Sequence, residues 1–177
     1  PVNKMEDISG LKIRVIQSPI YIDTFNALGA NAVPMPFTEV YTALEQKIID
    51  GQENPFSVIE TSKLNEVQKH LTITNHIYNP QSVLASKKKF DALTKDEQAL
   101  LMSTLAEATK WQRENSRKLA EDSLANLKKT MQVTTLSPEE LAKIRAKIKP
   151  VIDKFAANVG PELVKELQAE LDKGRKK

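Results

Sequence analysis

Cysteine is absent from the 177-residue sequence, which excludes disulfides and thiolate metal sites and leaves the redox compartment open. Histidine occurs only twice, with no second histidine at metal-ligand spacing and no serine–histidine pairing motif. No apolar run is long enough to span a bilayer, and no secretory leader, internal repeat or low-complexity tract is visible in the sequence. A first-position methionine is missing too: the chain opens on Pro1, which reads as a processed or truncated start. Excess charge is also lacking. Lys173, Arg175, Lys176 and Lys177 more than account for the formal net charge of +3, so the rest of the chain carries −1. Nucleic acid is therefore a poor partner, and the basic tail reads as a solvated, frayed end. What remains is globular composition, 40% hydrophobic and 28% charged, at a length that supports one domain with a real core.

The apolar pattern predicts an α/β order. Lys12-Ile13-Arg14-Val15-Ile16 reads as a strand with Ile13 and Val15 on one face and Arg14 on the other, near the sheet edge and facing a cleft. Ser18 and Pro19 start a helix whose apolar face is Tyr21, Ile22, Phe25 and Leu28, and Gly29 ends it. Ala32-Val33 returns as a strand closed by Pro34 and Pro36. The next helix is predicted to be capped by Thr38 and ended by a left-handed Gly51, with Val40, Ala43, Leu44, Lys47 and Ile48 on one face. Strand, helix, strand, helix is the signature of a parallel α/β lobe, for which ligands are expected at the carboxyl ends of the strands.

Further on, the pattern predicts a helix from about Ser57 to His70, an alternating strand over Leu71 to His76, and a strand over Ser82 to Ser86 ended by Lys87-Lys88-Lys89. Thr94-Lys95-Asp96-Glu97 is a capping box that opens a helix running to about Lys129, roughly 50 Å at 1.5 Å per residue. Such a helix either bridges two bodies or bends. A short strand over Met131 to Leu136 follows, then a second capping box at Ser137-Pro138-Glu139-Glu140. The helix it opens is expected to kink or split at Pro150, and a last amphipathic helix carries Leu163, Val164, Leu167 and Leu171. These features divide the chain into an α/β lobe (1–80), a crossover (81–93), a long spanning helix (94–130) and a C-terminal strand and helices (131–177).

The chemistry gathers in a few residues. Gln52-Glu53-Asn54 sets an acid between two amides, ahead of Pro55, and such groups are expensive to bury unless they bind something or each other. Taken alone, Arg14 is a surface arginine on a strand, Asn54 a turn asparagine and Phe37 a core residue. Glu53 and His76 admit an acid–base or half-metal-site reading, but scattered acids and one histidine do not make a catalytic or metal set. His70 and Trp111 read as structural.

Five segments carry a resemblance: Gly10-Leu11-Lys12-Ile13-Arg14-Val15, Leu28-Gly29-Ala30, Pro36-Phe37-Thr38-Glu39-Val40-Tyr41-Thr42-Ala43-Leu44, Asp50-Gly51-Gln52-Glu53-Asn54-Pro55 and Glu66-Val67-Gln68-Lys69. In order and spacing the chain resembles the solute-binding proteins of tripartite ATP-independent periplasmic (TRAP) transporters, from about Gly10 to Phe90 in detail and beyond that in helix pattern alone. The resemblance implies one lobe of a two-lobed, Venus-flytrap fold of the type II periplasmic-binding-protein kind, periplasmic and non-enzymatic, capturing a small organic acid for a membrane permease without metal or cofactor. It implies that Arg14 takes the substrate carboxylate in a bidentate pair, a geometry lysine cannot copy. It makes Asn54 a hydrogen-bond partner of the acid, Phe37 a wall against it and Gln17 a further contact, with Glu53 and His76 orienting Arg14. Family members begin with a lobe of their own before this segment. The partners implied are thus the acid, the permease, and either that N-terminal lobe or a second copy of the chain. The competing expectation is an assembly or interaction module that binds no ligand.

Overall fold

A computed structural model describes residues 1–175; Lys176 and Lys177, the end of the basic tail, lie outside the described residues. After a 3₁₀ turn at Met5–Ile8 come β1 (Lys12–Val15), α1 (Pro19–Ala27), β2 (Asn31–Pro34), α2 (Val40–Glu45), β3 (Gly51–Gln52) and α3 (Phe56–Thr61). These are followed by β4 (His70–Ile73), α4 (Lys87–Asp91), α5 (Lys95–Leu127), β5 (Gln132–Thr135), α6 (Pro138–Val159) and α7 (Pro161–Arg175). The strands form two parallel sheets, β2-β1-β3 and β4-β5. The α/β lobe is therefore observed, with one correction: β1 lies at the centre of its sheet, so Arg14 is not near an edge.

The side chains alternate as a parallel sheet requires. Val15 is fully buried in a core with Ile8, Phe25, Leu28, Ala30, Leu136 and Ile144, against which Ile13 and Ala32 also pack. This core joins β1 to α1 and α6. A second core is made by Val40, Ala43 and Leu44 of α2, Ile49, Ile59 of α3, Leu64, Leu71 of β4, Leu127 of α5 and Met131.

Backbone chemistry explains where elements stop. No side-chain cap forms at Thr38: the chain enters α2 through a 3₁₀ turn, Phe37–Glu39, led by Pro36. The left-handed residue that ends α2 is Lys47 (φ 58), and Gly51 is a strand residue. The Lys47 and Ile48 N–H groups donate to Leu44 and Ala43 carbonyls at 3.1 and 2.9 Å, a Schellman closure formed without glycine. That turn puts Ile49 into the core and leaves Ile48 55% exposed, the reverse of the helical reading. Gly51 sits in close packing, since a Cβ there would stand 3.1 Å from Ile13 Cδ1 and the isoleucine end would have to give by a few tenths of an ångström. Ser18 occupies the N-cap of α1 with Pro19 behind it, but its side chain makes no cap bond.

A left-handed Lys63 (φ 56) breaks the predicted 57–70 helix into α3 and a 3₁₀ turn at Leu64–Glu66. The strand expected over 71–76 ends at Ile73, and no strand forms at 82–86. No strand edge pairs with 82–86, and its apolar residues Val83 and Leu84 are 72% and 88% exposed.

α5 begins with the predicted reciprocal capping box between Thr94 and Glu97. Only its last turns are packed: Ser123 and Leu127 are buried, whereas Leu100, Met102, Trp111 and Leu119 are exposed. At α6 Ser137 accepts from the Glu140 N–H, but the box is not reciprocal, because the Glu140 carboxylate accepts from the Met5 N–H at 2.8 Å and holds Lys143 at 2.6 Å. Pro150 lies inside α6 without splitting it.

Two consequences are measurable. Leu127→Ala should cost about 2–5 kcal/mol in urea unfolding, whereas Leu119→Ala, eight residues earlier on the same helix, should stay within about 0.5 kcal/mol. Similar losses at both positions would show that the free part of α5 is packed in solution. Glu140 supplies a pH test, since Lys143 and the Met5 N–H hold its carboxyl below the ordinary 4.5. A depressed folded pKa stabilises above the unfolded value and ceases to do so as pH falls through the folded one. The stability gap between wild type and Glu140→Gln should therefore be present at neutral pH and close under acid conditions; a gap unchanged with pH would disprove the linkage.

Candidate functional site

Arg14 stands third in β1, opposite Val33 of β2 and Gln52 of β3, and is only 3% exposed. The chain leaving β2 folds over it. The Met35 carbonyl accepts from both Arg14 Nε and Nη2, at 3.0 and 2.8 Å, and the guanidinium carbon lies 5.7 Å from the centroid of the Phe37 ring. Pro34 and Pro36 bracket Met35; Pro36 holds it away from the helical region and Pro34 has a fixed φ, so the accepting carbonyl sits on a stiff, extended segment. Nη1 is buried and has no partner. Burial pulls the guanidinium below its usual range and the Glu53 charge pushes it part of the way back. The group remains a cation, and its orphaned donor is costly.

On the other side of β1, β3 ends in the acid–amide triplet. Asn54 Nδ2 donates to Gln52 Oε1 at 2.6 Å. Glu53 Oε2 lies 3.4 Å from His76 Nε2, with both side chains largely covered. Thr74 Oγ1 is 2.6 Å from His76 Nδ1, and the ring of Phe25 meets the imidazole edge-on, with centroids 5.5 Å apart. Tyr21 projects from α1 toward the same acid: burial, then the Glu53 charge, raises its phenol above the usual range.

A cavity of about 700 Å³ opens here, and its wall includes Tyr21, Gln52, Glu53, Asn54, Thr74 and His76. Arg14 and Phe37 are not part of that wall. Arg14 is nevertheless close to the triplet along the chain's pairing, since its register partner in β3 is Gln52, two residues before Asn54. The two bonds to Met35 draw the guanidinium to the β2 side, while the charge of Glu53 in the cavity wall acts on it. Gln17 is exposed in the loop between β1 and α1. Among the described residues, no group of three or more His, Asp or Glu is placed to hold a metal ion, and no helix is long and apolar enough to cross a membrane.

Three participants escaped the reading of the sequence. The Met35 acceptor is a backbone carbonyl, signalled only by its flanking prolines. Thr74 was hidden in an alternating strand pattern that in fact ends at Ile73. Tyr21 counted as core in α1, although its hydroxyl end faces the cavity.

Residues 1–158 match the DctP family, the bacterial extracellular solute-binding proteins of family 7. The chain is 48% identical to the 2,3-diketo-L-gulonate-binding periplasmic protein YiaO of Escherichia coli over 113 residues, covering 64% of this chain and 34% of that protein. With the C4-dicarboxylate-binding periplasmic protein DctP of Rhodobacter capsulatus it shares 36% identity over 171 residues, covering 96% of this chain and 51% of DctP. A TRAP periplasmic solute-binding protein from Ochrobactrum anthropi superposes with a TM-score of 0.92 at 55% identity, covering 99% of this chain and 55% of that one. The sugar acid binding protein DctPAm from Advenella mimigardefordensis, in complex with galactonate, gives 0.87 at 46% identity, with 97% and 56% covered. The chain thus spans about a third to a half of the length of the two binding proteins compared by sequence and just over half of the two solved chains. With nearly its whole length matched by the family and its fold shared with solved members, the chain belongs to the family 7 bacterial extracellular solute-binding proteins.

Proposed function

We propose that this chain is the acid-anchoring lobe of a periplasmic receptor that captures a small organic acid and passes it to a TRAP-type membrane permease, with no bond made or broken. The observation that carries this reading is the buried Arg14 cation with an unpartnered Nη1. Nε and one hydrogen of Nη2 are spent on Met35. That leaves Nη1 and the second Nη2 hydrogen side by side, a fork matched to two carboxylate oxygens. An acid arriving there supplies the missing acceptor and neutralises a charge already desolvated. Because Nη1 is sealed from solvent, the acid enters with a local shift, and Phe37, 43% exposed, is the contact of the guanidinium that is free to swing.

In this reading Glu53 and His76 orient Arg14, Asn54 offers its amide to the acid from the cavity wall, and Gln17 reaches in from its loop. The relatives support the ligand class: the DctPAm structure holds galactonate, and the Rhodobacter protein is named for C4-dicarboxylates. An assembly module without a ligand has no use for a half-satisfied buried cation.

The reading extends to the uncovered surface. Tyr78, Val83, Leu84, Leu100 and Trp111 are between 67% and 91% exposed, a set of large apolar side chains of the kind that marks an interaction surface when a partner covers them. The cover proposed is the half that relatives carry and this chain does not span, or in its absence a second copy.

Two measurements test this. In the full-length receptor, Arg14→Lys should weaken galactonate binding by about 2 kcal/mol or more in calorimetry, through loss of the paired hydrogen bonds rather than of charge; equal affinities would show that Arg14 is not the carboxylate clamp. Light scattering on the chain alone should show self-association that addition of the other half reverses. A compact monomer that binds galactonate tightly by itself would overturn the account of the uncovered surface.

A further inference from the structure

We infer that Thr74 is a positioning residue for the acid site: its hydroxyl donates to His76 Nδ1 and thereby fixes the imidazole in the tautomer that carries its proton on Nε2, facing Glu53. The inference rests on the carboxylate-binding role proposed above for Arg14. Its starting point is a tautomer argument. The Glu53 carboxylate is an acceptor only, and it lies 3.4 Å from His76 Nε2. A bare Nε2 lone pair there would face negative charge in a largely covered site, so Nε2 must carry the hydrogen. A neutral imidazole then has Nδ1 as its acceptor, and the group 2.6 Å from Nδ1 is Thr74 Oγ1. For the neutral ring only one assignment leaves no lone pairs opposed: Thr74 donates to Nδ1, and the Nε2 hydrogen, which has no closer partner, faces the Glu53 carboxylate 3.4 Å away; a ring found protonated on both nitrogens would overturn this assignment.

The backbone is shaped for this contact. In an extended strand, side chains two residues apart are separated by roughly 6.5 Å along one face. Asn75, between the two, takes a left-handed conformation with φ 45, which a short polar side chain tolerates, and this turn brings Thr74 and His76 together where β4 has ended. The remaining neighbours do not compete for the ring nitrogens. Phe25 packs on the ring from α1; Tyr21 and Arg14, the other titratable or charged groups around Glu53, are coupled to that carboxylate. Once turned toward His76, the carboxylate is held in one rotamer, and its field at Arg14 is held with it.

The test compares Thr74→Val, which keeps shape and loses the donor, with Thr74→Ser, which keeps the donor. In nitrogen-15 NMR of the His76 side chain, wild type and Thr74→Ser should show the proton on Nε2, and Thr74→Val should show a mixture of tautomers. In the full-length receptor, galactonate affinity should fall about tenfold in Thr74→Val, the worth of one net hydrogen bond, and stay within about twofold in Thr74→Ser. An unchanged tautomer in Thr74→Val, or a serine variant as weak as the valine variant, overturns the inference. Wild-type protein that binds no galactonate counts against the choice of acid instead, and the NMR comparison then decides the role of Thr74 by itself.

Discussion

A guanidinium with 3% of its surface exposed has to be held by what surrounds it, and much of the local architecture follows from holding Arg14. Taking such a cation out of water costs several kcal/mol even after relaxation. Two charge-assisted bonds to one carbonyl, stacking against Phe37 and the nearby charge of Glu53 offset part of that cost. Each contribution needs a rigid source. The carbonyl is held by the Pro34–Pro36 bracket, the ring by the 3₁₀ turn that opens α2, and the acid by the end of β3, which packs closely on β1 at Gly51. Placing Arg14 on the central strand lets supports come from both neighbouring strands at once. A hydrophobic residue of similar volume would sit there at lower cost. Under the function proposed above, the cation with one donor unused trades stability for a preorganised contact.

Legibility of the chain in its sequence followed the range of the interactions involved. β1, α1 with Gly29 beyond its end, β2 and the Thr94 capping box were readable because their determinants lie within a few residues. The left-handed turns at Lys47 and Lys63 were not, since lysine carries no signal for φ above zero and neighbouring packing imposes it. That single feature displaced Ile48 by Ile49 in the core and divided the predicted 57–70 helix. The apolar alternation at 82–86 was real, but strand formation needs a partner edge, and none is present among the described residues. The Glu140 carboxylate left its own helix cap for the Met5 N–H, a contact 135 residues away in sequence that no local motif reveals.

The candidate site divides in the same way. The residues that carry the chemistry could be named from the sequence as candidates. Their grouping could not, because it depends on where three strand ends point. Asn54, Glu53 and His76 share the cavity wall, while Arg14 and Phe37 make a neighbouring stack tied to Met35. Charge joins the two groups, since Glu53 acts on both: it lies against His76 and raises the guanidinium against the effect of burial.

The same cavity also connects the site to α5, because Ala120 and Met131 belong to its wall along with the acid–amide triplet. Its neighbours Ser123 and Leu127 are the buried residues of that helix, packed where α3 and β4 meet. The anchored turns of α5 and the floor of the site are therefore parts of one packed body. The preceding two-thirds of the helix depends on local terms, its capping box and its propensity, for whatever order it has in water, and an isolated helix of that kind is marginal. Rigidity is thus concentrated where Arg14, Glu53 and His76 must hold their relative positions. The exposed length of α5 carries Leu100, Met102, Trp111 and Leu119 in water, so the same helix that steadies the floor of the site also carries the surface that the proposed function assigns to a covering partner.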